Sequence, residues 1–223
     1  MIMESKKTKA VIFDLDGTLL DTLEDLCDSV NVSMDAIGAP HRTIDEVRNF
    51  VGNGIRRLMI LCVPEGEKNP KFDIAITSFL TDYKVNCKNK TKPYDGIPQL
   101  LSGLADDGYK LAVVSNKADF AVKELVRDYF GDLISVATGE NESAGIKKKP
   151  SPDTVFAAMK ELGCEKENAV YVGDSEVDVM TAKNAGIRCI AVEWGFRSRE
   201  VLIGAGATEI VSSAEKLRKA IEK

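Results

Sequence analysis

Val11-Ile-Phe-Asp-Leu-Asp-Gly-Thr-Leu-Leu-Asp-Thr22, "VIFDLDGTLLDT", decides how the chain is read. Its apolar start is a short, valine- and isoleucine-rich run of the kind that forms a strand buried on both faces. Two carboxylates, Asp14 and Asp16, follow at once, with Asp21 five residues beyond Asp16. Carboxylates at the mouth of an apolar core are costly unless a cation or a hydrogen-bond network holds them. A D-G pair is also a common turn signal, so this stretch alone is equally a turn with a helix cap.

Four further runs share the texture of the first: "KLAVVSN" (110–116), "LISVATG" (133–139), "NAVYVGD" (168–174) and "RCIAVEW" (188–194). Helical patterns fall near 98–106, 118–130, 152–162 and 176–185. Strand and helix in alternation predict an α/β fold, a doubly wound parallel sheet with right-handed crossovers. Between Asp21 and about Lys90 the pattern is helical only. Leu23, Leu26, Cys27, Val30, Met34 and Ile37 fall on one face, with Asp21 and Glu24 as a capping-box start and Gly38 with Pro40 as a stop. Thr43 and Glu46 open a second helix ending at Gly52, a third runs from Gly54 to Cys62, and a fourth begins at Pro70 with Phe72, Ile76, Phe79, Leu80 and Tyr83 on one face. The expected organisation is a core of residues 1–20 and 91–223, with residues 21–90 inserted as a helical lid.

Composition narrows the partners. The chain has 223 residues, 44% hydrophobic and 29% charged, with net charge −5. A mildly acidic protein has no electrostatic reason to bind nucleic acid or an anionic membrane. No apolar run approaches a membrane span, and "MIMESKKTKA" lacks the apolar segment of a secretory leader. The five cysteines are odd in number and contain no C-x-x-C pair, which fits buried free thiols in a reducing cytoplasm. His41 is the only histidine; it reads as a solvated turn residue and speaks against zinc and against a histidine-activated nucleophile.

In open α/β sheets ligands bind beyond the carboxyl ends of the strands. That edge collects Asp14 and Asp16, then Ser115 and Asn116, then Asp174 with Asp178 one helical turn on; Lys149 precedes "PSPD" at a helix start. Hard carboxylate oxygens suit Mg²⁺ rather than zinc. A hydroxyl and an ammonium would clamp phosphate oxygens. One aspartate can then attack phosphorus, and a carboxylate two residues away can protonate the leaving oxygen and later deprotonate water. Taken singly, Ser115 reads as a helix cap, "IKKKP" as a solvated charge run and "GDSEVD" as a capped helix start. Their chain order and shared sheet edge favour one site.

Together "FDLDGTLLDT", "VVSNK", "KKKPSPD" and "VGDSEVDV" resemble the four motifs of the haloacid dehalogenase-like hydrolase superfamily, over nearly the whole chain. The resemblance implies a Rossmann-like core with a helical cap. It implies Asp14 as nucleophile and Mg²⁺ ligand, and Asp16 as general acid/base that also binds the metal through its carbonyl. Ser115 and Asn116 would bind phosphate, Lys149 would neutralise charge, and Asp174 would be a metal ligand. Asp178 would hold metal-bound water or orient Lys149, and Thr18 would fix Asp16. "PYDGIPQLLSGLADDGYKLAVVSNK", "VGNG" and "VEWGF" resemble the phosphoglycolate phosphatase-like branch. Asp16 favours phosphoryl chemistry over dehalogenation, since the resemblance implies that a dehalogenase lacks that carboxylate.

The expected activity is therefore Mg²⁺-dependent hydrolysis of a small phosphate ester, 2-phosphoglycolate foremost, through an aspartyl phosphate, by a cytoplasmic monomer or homodimer. A sugar phosphomutase like β-phosphoglucomutase, or a pyrophosphatase, would use the same core; an inactive binding protein would be expected to have lost the nucleophile, lysine or metal aspartate. Asn53 and Gly54 before a helix, with Arg56 and Arg57 behind, could meet a substrate anion in the cap. The hinges of cap motion are expected near Leu20–Thr22 and Lys90–Pro93.

Overall fold

The computed structural model describes residues 9–140 and 145–223. The stretch read above as lacking a leader lies mostly outside them. The first strand, β1 (Ala10–Phe13), is entirely buried because it is flanked on both sides. It pairs in parallel with β4 (Lys110–Ala118) and with β6 (Ala169–Gly173). The six-stranded sheet runs β5-β4-β1-β6-β7-β8, with β5 at Val136–Glu140, β7 at Arg188–Val192 and β8 at Ile210–Val211, every pairing parallel.

Alternation along the strands divides the core into two layers. Val11 and Phe13 of β1, Leu111 and Val113 of β4, and Val170 and Val172 of β6 share one apolar cluster. It includes residues of α5 (Ile97–Asp106), α6 (Asp119–Phe130) and α10 (Ala214–Ile221). Ala10, Ile12, Ala112, Val114 and Tyr171 share the other, with residues of α7 (Asp153–Leu162) and α8 (Glu176–Ala185). Strand order reverses at β1, which opens a crevice at the carboxyl end of the sheet.

Four α-helices lie between Asp21 and Lys92: α1 (Leu23–Ile37), α2 (Ile44–Phe50), α3 (Ile55–Cys62) and α4 (Phe72–Asn86). They enclose an apolar cluster of their own around Val30, Met34, Met59, Phe79 and Tyr83. The chain leaves the core through β2 (Leu20–Asp21) and returns through β3 (Lys92–Pro93), and these two short strands pair antiparallel.

Several local expectations change. Thr43 and Glu46 do form a capping box, but Asp21 and Glu24 do not. Asp21 is extended in β2 against Lys92, Thr22 takes the cap position but its side chain makes no capping bond to the helix backbone, and Glu24 lies 3.7 Å from Lys90. Leu80, expected on the apolar face of α4, is exposed, and Ala75 is buried there instead. The strand expected from Leu133 starts at Val136, because residues 131–133 form a turn of 3₁₀ helix. The sequence reading also lacked β2, β3, β8, α10 and α9 (Arg199–Gly204).

Candidate active site

The crevice holds a cavity of about 50 Å³ between the sheet edge and the helical bundle. Asp14, Asp16, Ser115, Asn116, Lys149 and Asp174 line it from the sheet side; Leu26, Val51, Gly54, Ile55, Leu58 and Tyr83 line it from the helices.

Asp14 continues the β1 ladder, its N–H donating to the Val172 carbonyl at 2.8 Å. The chain then turns sharply at Gly17, where φ is +83° and a Cβ would come within 2.3 Å of Asp174 Oδ2. Only glycine fits that conformation and approach. The turn sets Asp14 beside Asp174 while Asp16 stands apart from both, so the two carboxylates of the opening motif occupy different surroundings.

Asp14 Oδ1 accepts from the Leu15 N–H at 2.7 Å and pairs with Lys149 Nζ at 2.8 Å. The same ammonium donates to Asp178 Oδ1 at 2.7 Å and to the Tyr171 hydroxyl at 3.1 Å. Asp178 is fixed in turn as the partner of Ser175 in the capping box of α8. The helix-cap reading of "GDSEVD" and the site reading therefore hold together: Ser175 caps, Asp178 both caps and holds Lys149, and Asp174 is left facing the cavity. Lys149 is further located through its backbone. Asn116 Oδ1 accepts from the Lys149 N–H at 2.8 Å, and Asn116 Nδ2 donates to the Lys149 carbonyl at 3.0 Å and the Gly52 carbonyl at 3.1 Å.

Asp14, Asp174 and Asp178 offer oxygens within 4.8 Å of one another, all three residues buried. Burial, then Asp178, outweigh Lys149 and push the Asp14 carboxyl up to about 7. Burial, with Asp178 and Asp14, raises Asp174 well above the usual carboxylate range. Burial works against the Lys149 ammonium, yet Asp14 and Asp178 prevail and raise its pKa. With all three carboxylates ionised, the cluster around one lysine would carry an excess of two negative charges. A divalent cation would offset that excess, and an all-oxygen donor set suits Mg²⁺.

Asp16 has a separate support. Its Oδ1 accepts from the Thr22 hydroxyl at 2.6 Å and from Lys117 Nζ at 2.7 Å. Thr18, expected to fix Asp16, instead donates to Asp174 Oδ1 at 3.2 Å. The turn at Gly17 points the two threonines to different carboxylates. Arg56, by sequence either a candidate anion contact or a solvated helix residue, is turned to solvent and pairs with Glu67 at 2.7 Å. Arg57 is exposed, Asn53 is half-buried outside the cavity wall, and only Gly54 of that group lines it. A Cβ on Gly54 would approach a Glu140 carboxylate oxygen to 2.9 Å, so the start of α3 already faces an anion.

Lys117, Tyr83, Phe196 and Arg197 also line the cavity and escaped the sequence reading. Lys117 had a signal: a lysine ending an otherwise apolar strand needs a partner. Arg197 had none, because its partners are the distant Glu176 carboxylate at 3.0 Å and the backbone carbonyls of Arg48 and Val51, each 2.7 Å away. His41 is exposed, as expected, beside Asp35 at 2.8 Å. All five cysteines are free, and among the described residues no helix is long and apolar enough to cross a membrane.

Residues 11–192 match the family model of the haloacid dehalogenase-like hydrolases. Phosphoglycolate phosphatase 1 of Pseudomonas aeruginosa is 30% identical over 94% of this chain and 78% of its own length. N-acetylmuramic acid 6-phosphate phosphatase of the same organism is 30% identical over 87% of this chain and 85% of its own length. The crystal structure of a candidate phosphoglycolate phosphatase from Lactobacillus delbrueckii subsp. bulgaricus is 38% identical, with a TM-score of 0.90 over 96% of this chain and 98% of that one.

Proposed function

The chain belongs to the haloacid dehalogenase-like hydrolase family, and from that footing we propose that it is a Mg²⁺-dependent phosphatase of small phosphorylated metabolites, with 2-phosphoglycolate the favoured substrate. The observation that carries the reading is the Asp14–Lys149 pair, 2.8 Å apart at the floor of the cavity. There a carboxylate nucleophile and a cation to receive phosphate charge stand side by side.

Asp14 attacks phosphorus, its Oδ–P bond forming as the ester P–O bond breaks, and the leaving oxygen takes a proton from Asp16. Water then attacks the phosphorylated Asp14; Asp16 takes the water's proton, and phosphate leaves with the carboxylate restored. Ser115, the Asn116 backbone and Lys149 hold phosphoryl oxygens through both steps, so most of the rate comes from positioning and charge neutralisation. Asp14 and Asp174 side chains and the Asp16 carbonyl would hold Mg²⁺. Bound there, the ion supplies charge neutralisation for the phosphoryl group. Asp178 acts through Lys149, and Thr18 through Asp174.

Residues 21–90 form the cap, which closes on substrate, excludes bulk water and contributes the walls that select the ester. Its hinges are the paired segments around Leu20–Thr22 and Lys90–Pro93. Free thiols suit a reducing compartment, and we assign the protein to the cytoplasm. The relatives' names support phosphatase chemistry and differ in substrate, so the ester is tested directly. Phosphate release is measured from 2-phosphoglycolate, sugar phosphates, nucleotides and pyrophosphate, with Mg²⁺ and with excess chelator. Metal-dependent release that peaks on 2-phosphoglycolate is expected. Release from none of them overturns the reading.

A further inference from the structure

One buried cation at the cavity has no part in the chemistry described so far. Lys117, near the end of β4, has a side chain only 4% exposed. Its ammonium donates to Asp16 Oδ1 at 2.7 Å and to the Tyr83 hydroxyl, which reaches it from α4. An ammonium has three N–H donors, and these two acceptors match two of them. The other two cations lining the cavity pair with carboxylates other than Asp16. Lys149 lies between Asp14 and Asp178. Arg197 uses Nε on Glu176 at 3.0 Å and its two terminal nitrogens on the Arg48 and Val51 carbonyls. Among the lining residues, Lys117 is thus the cation that lies against Asp16 and keeps an N–H donor for a ligand.

Its position says which ligand. Asp16 is the group that hands a proton to the leaving oxygen, so whatever is bonded to that oxygen lies against Asp16. A negative group one carbon beyond it comes within reach of Lys117, which already touches the same carboxylate. Around this point Leu26, Ile55, Leu58 and Phe196 are apolar and offer a sugar's hydroxyls no partner, and the cavity is small. A carboxylate would gain a charge-assisted hydrogen bond in buried surroundings, where such bonds are strongest.

We propose that Lys117, steadied by Tyr83, is the side chain that recognises the carboxylate of the favoured ester and so sets selectivity at the leaving group. The proposal rests on the phosphatase reading above. It makes the cap responsible for selectivity through one hydroxyl, since Tyr83 is the cap side chain that holds the ammonium.

The test compares 2-phosphoglycolate with ethyl phosphate, which has the same two-carbon chain without the carboxylate, in the full-length protein and in Lys117→Gln. The substitution is expected to lower kcat/KM for 2-phosphoglycolate roughly 10–100-fold more than for ethyl phosphate, chiefly through KM. Equal losses on the two esters would reduce Lys117 to a support for Asp16 and overturn the proposal. If the variant does not fold, the unaltered protein decides: glycolate should inhibit hydrolysis of p-nitrophenyl phosphate about tenfold more strongly than glycolamide. Equal inhibition overturns the subsite. Release from esters without preference for those bearing a carboxylate removes the subsite and leaves the phosphatase standing. Release from no ester removes both.

Discussion

Asp14 and Lys149 lie 2.8 Å apart, and Asp178 takes the other side of the same ammonium at 2.7 Å. One lysine thus serves two buried carboxylates, with a third, Asp174, alongside. The arrangement stores electrostatic tension that a divalent metal ion can relieve.

That tension has a sign in pH. Asp14 is raised from 3.8 to about 7 by burial and by Asp178. Between those values the folded protein holds a proton that the unfolded chain has released, so stability falls as pH rises through the window. Denaturant midpoints in excess chelator should therefore drop from mildly acidic pH towards pH 7, and Mg²⁺ should flatten the slope by binding the ionised form. A slope that Mg²⁺ leaves unchanged would contradict the assignment of this cluster to the metal.

Asp14→Asn removes the proposed nucleophile and one of the crowded carboxyl groups at nearly constant shape. Turnover should fall by at least about 10³-fold, while the melting temperature in chelator stays level or rises. Phosphate release and thermal melts on the same preparation decide it.

Two threonines four residues apart should separate metal binding from proton transfer. Thr22→Val removes the hydrogen bond to Asp16 and should lower kcat about tenfold with Mg²⁺ affinity kept. Thr18→Val removes the hydrogen bond to Asp174 and should weaken the Mg²⁺ dependence of activity severalfold with less effect on kcat at saturating metal. Mg²⁺ titrations of both variants give the two numbers.

The contrast between those threonines also marks what the sequence could say. Asp14, Ser115, Asp174 and Lys149 were legible because each follows a buried apolar run or opens a helix, and the sheet brings such ends together. Which threonine serves which aspartate was not, because it depends on the sense of the turn at Gly17. Tyr83 read as one more apolar-face residue of a helix, and only the placement of α4 at the cavity brings its hydroxyl to Lys117. Which way Arg56 points was open in the sequence, and α3 presents it to Glu67 and the Phe72 ring rather than to the cavity. Strands β2, β3 and β8 have two residues each, too few to carry an alternation.

Gly195 is a test of close packing. A Cβ there would fall 2.3 Å from Asp174 Cβ and 2.4 Å from the Gly17 carbonyl oxygen. Gly195→Ala should cost about 1–3 kcal/mol of stability and displace Asp174, weakening Mg²⁺ affinity. A variant with unaltered denaturant midpoint and metal response would show that the loop yields freely.

Arg197 fastens the loop after β7 to α2 through the Arg48 and Val51 carbonyls. Arg197→Ala should raise KM severalfold and speed amide exchange in residues 48–55, since those carbonyls lose their charged donor. Unchanged exchange there would show that the bundle is held closed by other contacts.

The antiparallel pair β2–β3 joins Leu20 to Pro93 and Asp21 to Lys92, so the chain departs from the core and rejoins it side by side. To the rest of the molecule, some seventy residues are equivalent to a hairpin turn, because the gap they must bridge is one interstrand spacing, about 5 Å. Chain connectivity therefore sets almost no limit on what is carried there. An ancestral core could exchange one helical segment for another, or lengthen it, without disturbing the register of its sheet, and acquire a new selectivity by recombination at two adjacent points.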